Sequence, residues 1–230
     1  MTCVKICGLR PGDDLRFTAD KVVTHIGFVL VPQSRRYVEP SAVGDMVRTV
    51  PSDTVKSVGV FVNASVSTVD AIMKTARLEV AQLHGNETPS DCRQLREQGR
   101  TVWKSICVPL QHADVNRLAE RVLQYAEVVD AILLDAAPPK EAGSVSGGHG
   151  VAWDWSILKE MAAACEGASL PPLWVAGGIR PDNVQSLLSN FRPYGIDVSS
   201  GVERAGRKDP NKIIELIKAV SRSEQQSNVS

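Results

Sequence analysis

Short runs of apolar and β-branched residues alternate with longer segments of helical periodicity along the chain. The runs predict eight β-strands: Cys3–Cys7, His25–Val31, Ser57–Val62, Glu79–His84, Val102–Ile106, Ala131–Asp135, Leu173–Ala176 and Ile196–Ser199. The segments that follow them predict eight helices: Asp13–Lys21, Ser41–Val50, Val66–Arg77, Pro89–Gln98, Asp114–Glu127, Trp155–Ala164, Pro181–Asn190 and Pro210–Val220.

This alternation predicts an α/β fold with a single (β/α)8 TIM barrel and parallel inner strands. The run 131–134 is continuously apolar, as expected of a parallel strand that is buried on both faces. Residues 1–220 are predicted to form the barrel, and the polar residues 221–230 a disordered tail. The segment 137–150 is rich in Pro, Gly and Ser and is longer than an ordinary βα connection.

Composition and charge exclude several classes of protein. A chain of 230 residues with 43% hydrophobic and 23% charged residues suits one globular barrel. The 26 acidic and 26 basic residues balance, which disfavours nucleic-acid binding. No segment resembles a secretory signal or a membrane span, so a cytoplasmic location is expected. The five cysteines are odd in number and scattered, so they are interpreted as reduced thiols, and no metal site is predicted.

The first strand carries two candidate site residues. Strand alternation places Lys5 and Cys7 on one face and Val4 and Ile6 on the other, so Lys5 and Cys7 are expected to point into the barrel. Active sites of such barrels lie at the carboxyl ends of the strands, where Cys7 stands. Cys7 is either a small apolar filler or a reactive thiolate activated by Lys5.

Three further polar residues follow other strands. Asp135 ends the sixth strand and is either a loop cap or a catalytic acid with a raised pKa. His84 ends the fourth strand and is either a structural hydrogen-bonding residue or a site residue. Arg36 lies in the loop after the second strand, which is either a solvated basic loop or a fork that binds a planar carboxylate.

Glycine-rich segments follow the last three strands and favour a phosphate-binding site. Backbone amides of such segments can approach an anion closely, as they do after strands seven and eight of many barrels. The predicted phosphate-binding residues are Gly147, Gly148, Gly150, Gly177, Gly178, Ser199, Ser200 and Gly201.

Read in order, several segments of the sequence resemble those of the phosphoribosylanthranilate isomerase family. They are VKICGL from Val4, GFVL from Gly27, SRRYV from Ser34, VGVFVN from Val58, QLHG from Gln82, LLD from Leu133, GGHG from Gly147, WDW from Trp153, AGGIRPDNV from Ala176, IDVSSGVE from Ile196 and KDP from Lys208. The match is collinear and covers roughly residues 3 to 220.

The resemblance implies an Amadori rearrangement that converts a phosphoribosylated anthranilate into a 1-deoxyribulose product in tryptophan biosynthesis. Asp135 would then be the general acid for the ribose ring oxygen, and Cys7 the general base for the C2 proton. Arg36 would bind the anthranilate carboxylate, with Lys5 and His84 also in the substrate site, and the glycine-rich segments would bind the phosphate. The family implies a small phosphorylated sugar as substrate and no cofactor or metal. A monomer or homodimer is expected.

Several features depart from the family pattern, and two alternatives stay open. The segment between Asp135 and Gly147 is longer than usual, and His149 replaces a small hydroxyl residue. One alternative is the related isomerase of histidine synthesis, which is disfavoured because Cys7 stands where that family has an aspartate. The other is a catalytically silent phosphate-binding barrel, which the presence of both Cys7 and Asp135 disfavours. Indole-glycerol-phosphate synthase is disfavoured because its set of lysine and glutamates is missing.

Overall fold

Eight parallel strands close into a barrel, which confirms the predicted fold. The computed structural model describes residues 1–51, 53–110, 113–137 and 153–227, without the side chains of residues 226 and 227. The barrel strands in this part of the chain are β1 (Cys3–Cys7), β2 (Val23–Val29), β3 (Lys56–Phe61), β4 (Val80–Leu83), β5 (Thr101–Val108), β6 (Ala131–Ala136), β7 (Leu173–Val175) and β8 (Gly195–Val198). Each strand pairs with the next, and β1 pairs with β8 from Cys3↔Gly195 to Ile6↔Val198.

Helices connect the strands and cover the outside of the barrel. The described α-helices are α1 (Pro40–Val47), α2 (Val66–Ala76), α3 (Pro89–Glu97), α4 (Val115–Ala126), α5 (Ile157–Ala164), α6 (Val184–Asn190) and α7 (Pro210–Ser227). Helix α3 begins where the sequence predicts it, because Thr88 and Asp91 form a reciprocal capping box and Pro89 occupies the first turn. After β8 the chain forms a 3-10 turn at Ser200–Val202 and a small antiparallel hairpin of β9 (Glu203–Arg204) and β10 (Arg207–Lys208).

Two predicted helices differ most from their observed counterparts. The helix expected at 13–21 is only a 3-10 turn, Arg16–Ala19, because Asp13 accepts a hydrogen bond from the amide of Arg10 and Asp14 from that of Arg16, which favours turns. The last helix continues through Ser227, beyond the boundary predicted at 220. Its final turns are fixed to the barrel, since Glu224 accepts hydrogen bonds from the backbone and side chain of Thr2, both at 2.9 Å.

The core has two layers, one outside the strands and one inside. Val4 and Ile6 pack in the outer layer against the helices, whereas Lys5 and Cys7 face the interior, as alternation predicts. The lower interior is apolar and contains Val58, Val80, Trp103, Ala131, Leu133, Trp174 and Ala176. Polar residues lie above this layer, at the carboxyl ends of the strands, which we call the barrel mouth. The apolar layer below them forms the barrel floor. Among the described residues, no helix is both long and apolar enough to cross a membrane.

Candidate active site

Cys7 lies at the carboxyl end of β1 and is buried at the barrel mouth. A Cβ atom placed on Gly27 of the neighbouring strand would stand only 2.7 Å from the Cys7 sulfur. Glycine at position 27 therefore leaves the space that the thiol occupies. Burial, followed by the negative charge of Asp197, raises the pKa of Cys7, while Lys5 and Lys208 act in the opposite direction. The net direction is opposite to the activation expected from Lys5 alone.

Lys5 lies beneath Cys7 and is fully enclosed. Its ammonium group donates to Asp197 Oδ2 at 2.9 Å and to Gln82 Oε1 at 2.8 Å. Burial lowers the pKa of Lys5, but the negative charge of Asp197, followed by that of Cys7, raises it by more. The net shift is upward, so the ammonium group stays charged. Its side chain is inaccessible to solvent.

Asp135 and His84 meet on the other side of the mouth. Asp135 is the next-to-last residue of β6 and His84 follows β4, and His84 Nε2 lies 3.3 Å from Asp135 Oδ2. The second carboxylate oxygen, Oδ1, faces Gly177, where an added Cβ would come within 3.1 Å of it. The structure thus brings two of the predicted site residues into direct proximity, next to one of the predicted glycine segments.

Arg36 crosses from the loop after β2 to the turn after β8. A Cβ on Gly8 would lie 2.5 Å from Arg36 Cδ, so the arginine runs directly over the residue that follows Cys7. Its guanidinium donates from Nε to Glu203 Oε1 at 2.7 Å and from Nη2 to Glu203 Oε2 at 3.0 Å. Lys208 Nζ donates to the same Oε1 at 3.0 Å and also to the backbone oxygen of Ser199. Burial opposes ionisation of Glu203, but Arg36 and Lys208 outweigh it and lower its pKa to about 2.

The glycine segments after β7 and β8 lie side by side. Gly177 and Gly178 both have positive φ, 86° and 69°, a conformation that favours glycine. Gly201 packs directly against the backbone oxygen of Ile179, so these two segments form one continuous wall with Ser199 and Ser200. The third predicted segment, with Gly147, Gly148 and Gly150, lies outside the described residues, as do His149 and the lengthened loop.

Four site residues were not predicted from the sequence: Gln82, Asp197, Glu203 and Lys208. Asp197 had a usable signal, since Asp197 and Ser199 alternate with the outward-facing Ile196 and Val198 on one strand. The other three depend on contacts between distant parts of the chain. Within the described residues, no cluster of His, Cys, Asp and Glu is arranged to hold a metal ion.

The fold and site together define a (β/α)8-barrel enzyme with a thiol group at the carboxyl end of β1, a carboxyl group at that of β6, and the glycine wall after β7 and β8 between them. A profile of the N-(5'phosphoribosyl)anthranilate (PRA) isomerase family matches residues 4–219. The chain belongs to this family. That confirms the resemblance and the enzyme class, an isomerase of tryptophan biosynthesis.

Relatives in sequence and structure agree with this assignment. The chain is 36% identical over 213 residues to N-(5'-phosphoribosyl)anthranilate isomerase of Priestia megaterium, covering 93% of this chain and 96% of that protein. It is 37% identical over 229 residues to the isomerase of Brevibacillus brevis, with 99% and 97% covered. The crystal structure of phosphoribosyl anthranilate isomerase from Thermotoga maritima superposes with a TM-score of 0.80 at 33% identity, covering 96% of this chain and all of that one. A similar structure, with a TM-score of 0.78 at 32% identity and the same coverage of 96% and 100%, is a complex with reduced 1-(o-carboxyphenylamino)-1-deoxyribulose 5-phosphate.

Proposed function

We propose that this chain rearranges N-(5-phosphoribosyl)anthranilate to 1-(2-carboxyphenylamino)-1-deoxyribulose 5-phosphate, with Asp135 as general acid and Cys7 as general base. The observation that carries the proposal is the placement of these two groups on β6 and β1 at one barrel mouth, beside the glycine wall. We assign the whole reaction to one catalytic domain, residues 1–220.

The proposed chemistry needs two proton transfers. Asp135 gives its proton to the ribose ring oxygen, the C1–O bond breaks, and the nitrogen lone pair forms a C=N bond. The Cys7 thiolate then takes the proton from C2, and the electron pair of that C–H bond moves to make an enolamine. Tautomerisation gives the ketone. Because the acid must be protonated while the base is ionised, the two environments must differ.

The thiolate form of Cys7 is the demanding requirement. Burial raises its pKa, so positive charge is needed nearby to make ionisation accessible. Lys5 lies below the sulfur and Lys208 beside it, and both act to lower that pKa. We assign Lys5 this electrostatic task in place of a substrate contact.

Substrate binding is assigned to groups that match its two anionic ends. Arg36 binds the anthranilate carboxylate through the part of its guanidinium that Glu203 does not occupy. Gly177, Gly178, Ser199, Ser200 and Gly201 bind the phosphate through backbone amides, joined by Gly147, Gly148 and Gly150 of the loop outside the described residues. The complex of the structural neighbour with a phosphorylated analogue supports this substrate class. His84 lies close enough to Asp135 to line the same pocket.

The proposal also covers the cellular setting. The five cysteines are all free, which suits a reducing cytoplasm. The reaction needs no cofactor, since the substrate nitrogen serves as the electron sink. A monomer or homodimer is proposed; a structural neighbour from Thermotoga maritima consists of monomers generated from a dimeric isomerase.

Rescue of a tryptophan auxotroph that lacks this isomerase tests the function, with Cys7→Ala as the negative control.

In purified protein, Cys7→Ser and Asp135→Asn should each lower turnover by at least ~10² while the fold is retained. Cys3→Ser in the same strand and the exposed Asp182→Asn are matched controls and should keep turnover. Near-normal turnover of either site variant would remove that residue from the mechanism. Turnover with the histidine-pathway substrate alone would favour the alternative isomerase.

A further inference from the structure

Gln82 connects the buried lysine to the acid side of the site. It lies on β4, is almost completely buried, and its side-chain amide has three polar neighbours. Lys5 Nζ is 2.8 Å from Oε1, Ser105 Oγ is 3.0 Å from Nε2, and His84 Nδ1 is 3.2 Å from Nε2. The amide is therefore the link between Lys5 under Cys7 and His84 beside Asp135.

Lys5 fixes which way this amide points. An ammonium group has three donors and no acceptor, so only the carbonyl oxygen of Gln82 can face it. Asp197 and Cys7 stabilise the charged form of Lys5, which keeps it a donor. The amide nitrogen must then point the other way, and its two protons go to Ser105 Oγ and His84 Nδ1.

The orientation of Gln82 in turn fixes the proton on His84. Since Nδ1 accepts a hydrogen bond from the amide, the neutral ring carries its proton on Nε2. That nitrogen is 3.3 Å from Asp135 Oδ2, a separation that acid–base pairs often show before substrate binds. The hydrogen bonds thus run in one direction, from Lys5 through Gln82 to His84, whose Nε2 faces Asp135 Oδ2.

Two acidic groups lie near His84. Asp135 on β6 is 3.3 Å from its Nε2, and Asp197 on β8 interacts with the ring electrostatically. An imidazolium would place an N–H of Nδ1 against the N–H of Gln82 across 3.2 Å. The orientation of Gln82 therefore makes a doubly protonated His84 ring unfavourable.

We propose that Gln82, oriented by Lys5, is a positioning residue that holds His84 as the neutral Nε2–H tautomer facing Asp135. This inference rests on the proposed role of Asp135 as the acid. A permanent imidazolium would pair with the Asp135 carboxylate and keep it without a proton. A neutral ring leaves Oδ1, which faces Gly177, to carry the acid proton, and stabilises the carboxylate at Oδ2 once that proton has gone to the substrate.

The protonation state of His84 can be observed directly. The chain has four histidines, so 15N-histidine labelling gives a small set of imidazole signals, and loss of one set in His84→Gln assigns it. The expected wild-type result near pH 7 is a protonated Nε2 and an unprotonated Nδ1. A doubly protonated ring, or a proton on Nδ1, overturns the proposal without any variant being needed.

The variant Gln82→Glu supplies the second test. A carboxylate at 82 still accepts from Lys5 but cannot donate to His84 Nδ1, so the ring should gain a proton on Nδ1. The same change on the exposed surface, Gln94→Glu, is the matched control and should leave the His84 signals unchanged. We expect Gln82→Glu to lower kcat at least about tenfold with a small change in KM. An unchanged His84 spectrum in a folded Gln82→Glu protein overturns the proposal.

The two proposals fail in different ways. Normal turnover of Asp135→Asn, with the expected His84 tautomer in the wild type, would refute the acid role but leave the orientation of Gln82 intact. The reverse pattern, an inactive Asp135→Asn with a doubly protonated His84, would refute only the role of Gln82.

Discussion

Glu203 binds Arg36 along one edge of its guanidinium group, with Nε and Nη2 each donating to a different carboxylate oxygen. Bidentate pairs of this kind fix the plane of the arginine as well as its position. Both side chains are less than a tenth exposed, and Lys208 holds the same carboxylate from the other side. The arginine is thus oriented before substrate arrives, and Glu203 is the residue that orients it.

Glu203→Gln should therefore weaken substrate binding more than it slows the chemical step. An amide can accept only one of the two guanidinium hydrogen bonds, so Arg36 loses its fixed plane. We expect KM to rise by about tenfold, with kcat within about threefold of the wild-type value. Steady-state kinetics would show this. Glu79→Gln, at a more exposed ion pair with Lys56, is the control. An equal fall in kcat with no change in KM would contradict the assignment.

Lys208→Met should move the ionisation of Cys7 to higher pH. Lys208 is one of two lysines that lower the pKa of this thiol, against the effects of burial and Asp197. Since a general base acts in its deprotonated form, activity should rise with pH as the thiol ionises, and removal of Lys208 should shift that rise upward. The pH dependence of kcat/KM and the thiolate absorbance both report it. The exposed Lys218→Met should leave both curves in place. A shift of either curve toward lower pH would contradict the assigned effect of Lys208 on the pKa of Cys7.

Gly27→Ala should lower turnover by displacing the thiol. The added methyl group would meet the Cys7 sulfur at 2.7 Å and Lys5 Cε at 3.0 Å, so both side chains must move. A general base that moves by a fraction of an ångström loses alignment, and we expect kcat to fall by at least about tenfold. Thermal unfolding of the variant separates this effect from a loss of fold. Normal kcat in a folded Gly27→Ala protein would show that the thiol position is not restricted at this point.

The barrel and half of the site follow from local sequence patterns. Apolar runs locate the strands, and alternation places Lys5 and Cys7 inside because Val4 and Ile6 suit the helix-facing layer. Asp135 is placed at the mouth simply by ending a strand. The same rule applied to β8 would have included Asp197.

The contacts that tune these groups were not predictable in this way. Arg36 and Glu203 are 167 positions apart, and Lys5 and Gln82 are 77 apart, so each pair depends on barrel closure. The pKa of Cys7 shows the consequence. Lys5 alone suggests a lowered value, but burial and Asp197 reverse the direction, and neither effect is visible until the strands are arranged in space.

His25 makes the stability of the barrel depend on pH. Its ring packs against Trp103 and Trp174 in the barrel floor, at 4.9 and 4.8 Å between ring centroids. Burial, followed by the charges of Lys5 and Lys56, lowers the pKa of His25 from 6.5 to about 3. Between these two values the unfolded chain binds a proton at this residue and the folded chain does not. The contribution of the uncharged His25 to the free energy of unfolding is therefore complete above pH 6.5 and is lost as the pH falls toward 3.

His25→Phe should remove that dependence. From pH 7 to pH 5 the wild type should lose up to about 2 kcal/mol of unfolding free energy through this residue, and the variant should lose less by that amount. Urea unfolding of both proteins at the two pH values measures the difference. Because each protein is compared with itself, any packing cost of the new ring cancels. Equal pH dependence in the two proteins would mean that His25 takes up a proton as readily in the folded barrel as in the unfolded chain.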